Sequence, residues 1–170
     1  MQLLAAPMEG VTGYLFRRAH AAVFGGADGY LTPFLSPTET GVLSPRERAD
    51  VLPAHNAGLP VIPQILTRRS DCFIWAARKL ADLGYREINL NLGCPSGTVT
   101  AKGKGAGFLA HPDELERFLD EIFSAVPLAI SVKTRLGMEH AEEFGPLLEL
   151  YNRYPICRLD VHPRTRAQFY

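Results

Sequence analysis

Three side chains in this sequence stand where chemistry is commonly done. Cys94 follows Asn89-Leu90-Asn91-Leu92-Gly93 and precedes Pro95; Lys133 ends the apolar run Leu128 to Val132; His162 closes the run that begins at Arg158. Each falls at the end of a strand-like segment. A cysteine there is most often a small buried apolar residue. Its alternative is a thiol that gives or takes a proton within hydrogen-bond reach. An unpaired ammonium is costly in a core, so Lys133 either reaches solvent from the strand end or serves a ligand. A strand-end histidine is ordinarily a hydrogen-bonded structural group and otherwise a ligand. Asn91 lies three residues before Cys94. In an extended strand the two would face opposite sides, so sharing one cavity requires a turn at Gly93. Asn89 has the parity of Asn91, where an unpaired amide would be expensive, and the sequence names no partner for it. Arg135, two residues after Lys133, shares that side and is a candidate contact for substrate or phosphate.

These groups need elements to hold them. Short apolar runs alternate with amphipathic stretches along the chain. Leu3 to Ala6 is followed by a helix-like segment from Tyr14 to Phe24, and Gly29 to Thr32 is a second run. Val61 to Ile65 is a third, weakened as a strand by Pro63, which cannot donate a ladder hydrogen bond. Ser70 or Asp71 is placed to cap a helix with apolar positions Phe73, Ala76, Ala77, Leu80 and Leu83 at helical spacing. Gly84 ends it. Glu87 to Leu92 is another strand, opening into a glycine-rich segment from Gly93 to Gly107. Pro112 in a first turn, with Asp113 and Glu114 at the positive end of the dipole, starts a helix whose buried stripe is Leu115, Phe118, Leu119, Ile122 and Phe123. Leu128 to Lys133 reads as a strand, Ala141 to Tyr151 as a helix, and Arg158 to His162 as a strand.

Strands alternating with helices imply a parallel sheet with right-handed crossovers. Chemistry-bearing residues that repeatedly follow strand ends imply the layout of an α/β TIM barrel, the (β/α)8 fold, with its site on the C-terminal face. The alternative on pattern alone is an open doubly wound sheet. About six strand candidates are present, and a complete barrel usually takes about 250 residues. Residues 1–170 therefore read as a barrel truncated to roughly its first six strand–helix units.

Composition narrows the classes. The chain has 170 residues, 46% hydrophobic and 21% charged, enough for a globular core. Lys plus Arg and Asp plus Glu number 18 each, so zero formal net charge gives no support to wholesale nucleic-acid binding. Cys72, Cys94 and Cys157 are an odd number at wide spacings, with no CxxC pair and no Cys/His ligand pattern. That argues against a disulfide framework or a metal site and for a reducing cytoplasm. Met1 to Met8 shows no export signal, and no membrane span is expected.

Four segments in order decide the resemblance: Ala6-Pro7-Met8-Glu9-Gly10-Val11-Thr12 with Phe16-Arg17 after it, Asn89-Leu90-Asn91-Leu92-Gly93-Cys94-Pro95, Val132-Lys133-Thr134-Arg135-Leu136-Gly137, and Val161-His162-Pro163-Arg164-Thr165-Arg166. Together they resemble the tRNA-dihydrouridine synthase family over essentially the whole chain. The resemblance implies FMN reduced by NADPH, with tRNA as partner and uridine reduced to 5,6-dihydrouridine. It makes Cys94 the donor of a proton to C5 while hydride goes to C6. It gives Pro7, Met8, Glu9, Gln64, Lys133 and His162 to the flavin, with Lys133 at the N1–C2 oxygen edge of the ring system. It gives Asn91 to the uridine and puts Arg135, Lys102 and Arg164 beside substrate or RNA. Pro163 stands where the family commonly shows glycine; proline fixes φ and removes a donor, which alters the loop beside His162.

Gly103-Lys104-Gly105-Ala106-Gly107 invites a phosphate reading, yet the spacing of a P-loop is not met. It reads instead as a flexible active-site loop, with Lys102 and Lys104 either touching RNA phosphates or solvated. A related flavin barrel acting on a free pyrimidine, in the manner of dihydroorotate dehydrogenase, is the alternative enzyme. A third reading takes the chain alone as an inactive piece that binds FMN weakly, the phosphate site of such barrels usually forming after strands 7 and 8. The family's helical tRNA-binding domain is absent from these residues. Which uridine is reduced, whether NADPH is preferred to NADH, and the oligomeric state are left open by the residues.

Overall fold

The computed structural model describes residues 2–170, so of the Met1 to Met8 segment Met1 lies outside the described residues. The strands are β1 (Leu4–Ala5), β2 (Gly29–Leu31), β3 (Val61–Ile62), β4 (Gln64–Ile65), β5 (Glu87–Leu92), β6 (Ala129–Arg135) and β7 (Leu159–His162). Between them lie α1 (Tyr14–Val23), α2 (Pro45–Val51), α3 (Ser70–Asp82), α4 (Gly97–Thr100), α5 (Pro112–Ala125) and α6 (Phe144–Tyr151), with short 3-10 turns at Pro53–Asn56, Gly105–Ala110 and Ala141–Glu143. Every strand pair is parallel, and neighbours follow chain order, β1-β2-β3 and β4-β5-β6-β7.

The third strand divides at Pro63. Its missing N–H interrupts the ladder, but its carbonyl still accepts from the Asn89 amide at 2.8 Å. Leu35 then bonds across the break, donating to the Gln64 carbonyl and accepting from the Leu66 amide, each at 2.8 Å. The halves β3 and β4 thus act as one bent strand between β2 and β5, giving six successive parallel positions. A doubly wound sheet reverses its strand order at a switch point; this chain does not, and the barrel order holds.

Alternation in β5 separates the two faces of the sheet. Ile88, Leu90 and Leu92 are fully buried, pointing outward with Ile130 and Val132 of β6. Against them pack Phe73, Ala76, Ala77 and Leu80 of α3 and Leu115, Phe118, Leu119 and Ile122 of α5. Phe118 meets Phe73 and Phe108 edge-on, with centroids 5.7 and 5.4 Å apart, an orientation aromatic quadrupoles favour. Asn89 and Asn91 take the opposite parity and face the interior.

Several local expectations hold, and some are corrected. Gly84 follows α3 with φ +90°, as a left-handed helix stop requires, and Pro112 opens α5 with Asp113 and Glu114 in its first turn. Neither Ser70 nor Asp71 caps α3; both lie inside its first turn, and Arg69 is the N-cap without a side-chain bond. The glycine-rich segment Gly93 to Gly107 is folded into α4 and the start of a 3-10 turn. Its part Gly103 to Gly107, expected to be a flexible loop, runs into that turn with Gly105 to Leu109 buried. Phe108 and Leu109 directly after the glycines require that: both join the core. Helix α2, unanticipated, is set by Ser44-Pro45-Arg46-Glu47, a reciprocal capping box with proline at the first helical position.

Candidate active site

The inward faces of the strands carry polar side chains in tiers. Gln64, Asn89 and Ser131 are cross-strand neighbours on one level. Asn91, Lys133 and Asp160 make the next, and Arg135 with His162 the one nearest the C-terminal mouth. Stacked interior tiers are the packing of a parallel barrel, here built from amides and charges in place of branched hydrocarbon.

Asn91 is buried and makes the turn that the sequence requires after β5. Its Oδ1 accepts from the amides of Gly93 and Cys94 at 3.1 and 3.0 Å. The strand therefore ends with Cys94 anchored through its own backbone N–H, and the Cys94 carbonyl accepts from the Ala106 amide at 3.0 Å. Gly105, at φ +56°, packs so closely that a Cβ there would lie 2.8 Å from the Cys94 carbonyl oxygen. Only glycine fits beneath the cysteine.

The Cys94 side chain is half-buried. Burial pushes its thiol above the ordinary range, the Ser96 amide and the Arg135 guanidinium pull against that, and the Glu9 carboxylate adds to it. The sulfur thus keeps its proton at neutral pH, and once it gives the proton up, an N–H and a positive charge stand ready for the thiolate.

Lys133 is also half-buried, and burial lowers its ammonium below the usual range while Asp160 opposes the shift and Arg135 adds to it. Among the described residues its head group makes no hydrogen bond or ion pair. His162 is partly buried; burial, then the charges of Arg135, Lys133 and Arg164, lower its pKa, so its ring is neutral at physiological pH. Two polar head groups on neighbouring strands one tier apart, both without hydrogen-bond partners among the described residues, fit a bound polar cofactor.

Arg135 is 1% exposed. Its Nε donates to the Gly93 carbonyl at 2.7 Å, and its Nη1 to the carbonyls of Thr165 and Phe169 at 3.1 and 2.6 Å. Its guanidinium also lies 5.3 Å from the Tyr170 ring centroid. The structure thus gives this residue to the backbone on either side of the mouth. Lys102 and Arg164 are exposed on their loops.

At the mouth of β1, Pro7 is partly buried, while Met8 and Glu9 are exposed. Their turn is held by a relay from the protein interior. Met8 N–H donates to Thr12 Oγ1 at 2.8 Å, the Thr12 carbonyl accepts from Arg17 Nη1 at 2.9 Å, and Arg17 sits 3.6 Å from the Asp50 carboxylate. Arg17 Nη2 adds bonds to the Asp50 carbonyl at 2.6 Å and Asn56 Oδ1 at 2.9 Å. Partial desolvation on the side facing its neighbours raises the half-exposed Glu9 carboxyl above the usual carboxylate range, against Arg46 at 3.5 Å. Glu9 lines a cleft of about 290 Å³ with Pro33, Phe34 and Asp50. A larger groove between α5 and α6 lies in the outer helical layer and shares none of the site residues.

Sequence reasoning missed Ser131, Arg158 and Asp160. Ser131 lies in the alternation Ser131-Lys133-Arg135, whose period of two marks one face of β6, and that signal was available. Arg158 Nε contacts both Asp160 carboxylate oxygens at 3.1 and 3.2 Å, and its Nη1 lies 2.9 Å from Glu87 Oε1.

Six parallel positions in chain order, helices outside and a thiol, a lysine and amides at the C-terminal mouth define an α/β barrel protein with a reactive-group cluster where such barrels do chemistry. The chain belongs to the dihydrouridine synthase family, whose model matches residues 3–170. It is 33% identical over 172 residues to a probable tRNA-dihydrouridine synthase of Rhodobacter capsulatus, covering 99% of this chain and 52% of that protein. Similar proteins of the same description occur in Staphylococcus epidermidis and Staphylococcus aureus, each 32% identical over 170 residues, covering 97% of this chain and 50% of theirs. The chain spans about half the length of the curated relatives it matches. Among the described residues, no helix is long and apolar enough to cross a membrane.

Proposed function

We propose that this chain carries the proton-donating half of a cytoplasmic FMN-dependent site that reduces uridine to 5,6-dihydrouridine in tRNA, with NADPH supplying the electrons. In this reading residues 1–170 are the first six strand–helix units of a flavin-binding barrel. The observation that carries it is a thiol held protonated at the end of β5, clamped by Asn91, on the same mouth as the unengaged heads of Lys133 and His162.

When bound, FMN would supply the hydride for the reduction. The chain's residues do the rest. Lys133 would hold the cofactor's polar edge, with neutral His162 beside it and Pro7, Met8 and Glu9 forming the wall from β1. Gln64, assigned to the cofactor by the family resemblance, is instead fully buried and bonded at both ends of its amide, so it supports Asn91 from beneath. Asn91 meets the base with the one N–H its internal bonds leave over. Cys94 gives its proton to C5, so one C–H bond forms at each carbon as the double bond is lost, and the resulting thiolate is stabilised by the Ser96 amide and Arg135. A base in folded RNA must leave its stack to reach such a pocket, at a cost of a few kcal/mol. Lys102 and Arg164, both exposed, are placed for phosphate.

The test is substrate choice. The protein containing this chain, loaded with FMN and given NADPH, is incubated with unmodified tRNA, free uracil or dihydroorotate, and the products are identified by mass spectrometry. Dihydrouridine in tRNA alone is expected. Turnover of a free pyrimidine with none on tRNA would overturn the reading in favour of the free-base enzyme.

A further inference from the structure

The interior amides form a single hydrogen-bonded chain. Asn91 Nδ2 donates to Gln64 Oε1 at 2.8 Å, Gln64 Nε2 to Asn89 Oδ1 at 2.8 Å, and Asn89 Nδ2 to Ser131 Oγ at 2.9 Å. The Ser131 hydroxyl gives its proton to the Ile88 carbonyl at 3.3 Å and accepts from Arg158 Nη2 at 3.2 Å. At the other end, Asn91 Oδ1 accepts from the Gly93 and Cys94 amides. Gln64, Asn89 and Ser131 are completely buried.

A primary amide can turn over and exchange donor for acceptor, but neither end of this chain permits that. A backbone N–H and a guanidinium can only donate. With its proton committed to Ile88, the serine oxygen can only accept from Asn89. The direction of every bond is thereby set from both ends, and turning over any one amide would place N–H against N–H and oxygen against oxygen among buried side chains.

We propose that Asn89, which touches neither Cys94 nor the mouth, is a positioning residue for Cys94. Acting through Gln64 and Asn91, it keeps Asn91 Oδ1 aimed at the Cys94 amide and so sets where the sulfur stands. Its bearing on turnover rests on Cys94 being the acid proposed above; the positioning does not.

The experiment reads the sulfur directly, without cofactor. The purified chain and three variants, Asn89→Leu, Ser131→Ala and Ser131→Thr, are alkylated natively with iodoacetamide between about pH 7 and about pH 10, bracketing an ordinary thiol's titration. Mass spectrometry of the Cys94 and Cys157 peptides gives the two rates separately. Asn89→Leu and Ser131→Ala are each expected to change the Cys94 rate about three- to tenfold, the factor that one net hydrogen bond carries. The exposed Cys157 should keep its rate, and Ser131→Thr, which retains the hydroxyl, should stay near the parent. An unchanged Cys94 rate in a variant with native circular dichroism would overturn the proposal, as would a change shared equally by Cys157. If Asn89→Leu does not fold, Ser131→Ala decides. Retained turnover in a Cys94→Ala variant would defeat the proposed reaction while leaving these rates untouched, so the two ideas fail separately.

Discussion

Replacing Cys94 with alanine is expected to cut uridine reduction about 10²- to 10⁴-fold, the usual worth of a positioned general acid, with FMN still bound. Nothing in the surrounding geometry depends on the sulfur: Asn91 holds position 94 by its backbone amide, and Ala106 bonds to its carbonyl. The loss should therefore fall on turnover and spare cofactor retention. The direction of the thiol's shift fixes the accompanying pH profile. A general acid works only while protonated, and burial raises this thiol above an ordinary one. Activity that depends on Cys94 should be present at neutral pH and disappear as pH rises through the raised value. Single-turnover rates of flavin-loaded enzyme with tRNA across the alkaline range, for wild type and Cys94→Ala, check both statements. Wild-type turnover in the variant would remove Cys94 from the reaction.

The second large effect is on stability. Arg17→Met keeps the apolar stem but removes the guanidinium from beside Asp50. Truncating one partner of a buried ion pair leaves a stranded charge and typically costs about 3–5 kcal/mol. Here the Thr12 carbonyl and Asn56 Oδ1 lose their donor as well, and the Asp50 carbonyl keeps only Asn56 Nδ2. Asp50 has a further duty, since its Oδ1 accepts from the Tyr14 amide at 2.6 Å and so caps α1 from another element. Urea denaturation of Arg17→Met should show a midpoint well below the parent's. A change under about 1 kcal/mol, within the range of surface substitutions, would show that the pair is not the anchor of α1.

The barrel order and the polar interior were legible because they are local. Glu87-Ile88-Asn89-Leu90-Asn91-Leu92 alternates with period two, which assigns one face to the core and the other to the interior before any partner is known. The ends of α3 and α5 were marked by Gly84 and Pro112. The Ser44-to-Glu47 capping box was equally local and passed unread. The amide chain was beyond reach for a different reason. Its members come from strands 25 to 42 residues apart in sequence, and which side chains meet depends on a register that no single segment contains. Arg135 shows the same limit: its position on the site side of β6 was readable, but the backbone carbonyls that engage its guanidinium lie in the segments after β5 and β7. Segment 103–107 reads as flexible when its glycines are weighed as freedom, whereas Gly105 and Gly107 are required by close approach to Cys94 and Thr100.

One asymmetry in the core has a thermodynamic consequence. Among the described residues, none before Leu35 belongs to the hydrophobic cluster, and β1 and β3 are two residues long where β5 and β6 have six and seven. The chain before Leu35, about its opening fifth, thus lies outside that cluster and leans more on directional polar bonds than the segments after it. The free energy of local opening should rise along the sequence, lowest around β1 and α1 and greatest in β5 and β6. In the site proposed above, the segment carrying Pro7, Met8 and Glu9 would then be the compliant side of the mouth, yielding while the thiol at the end of β5 stays put.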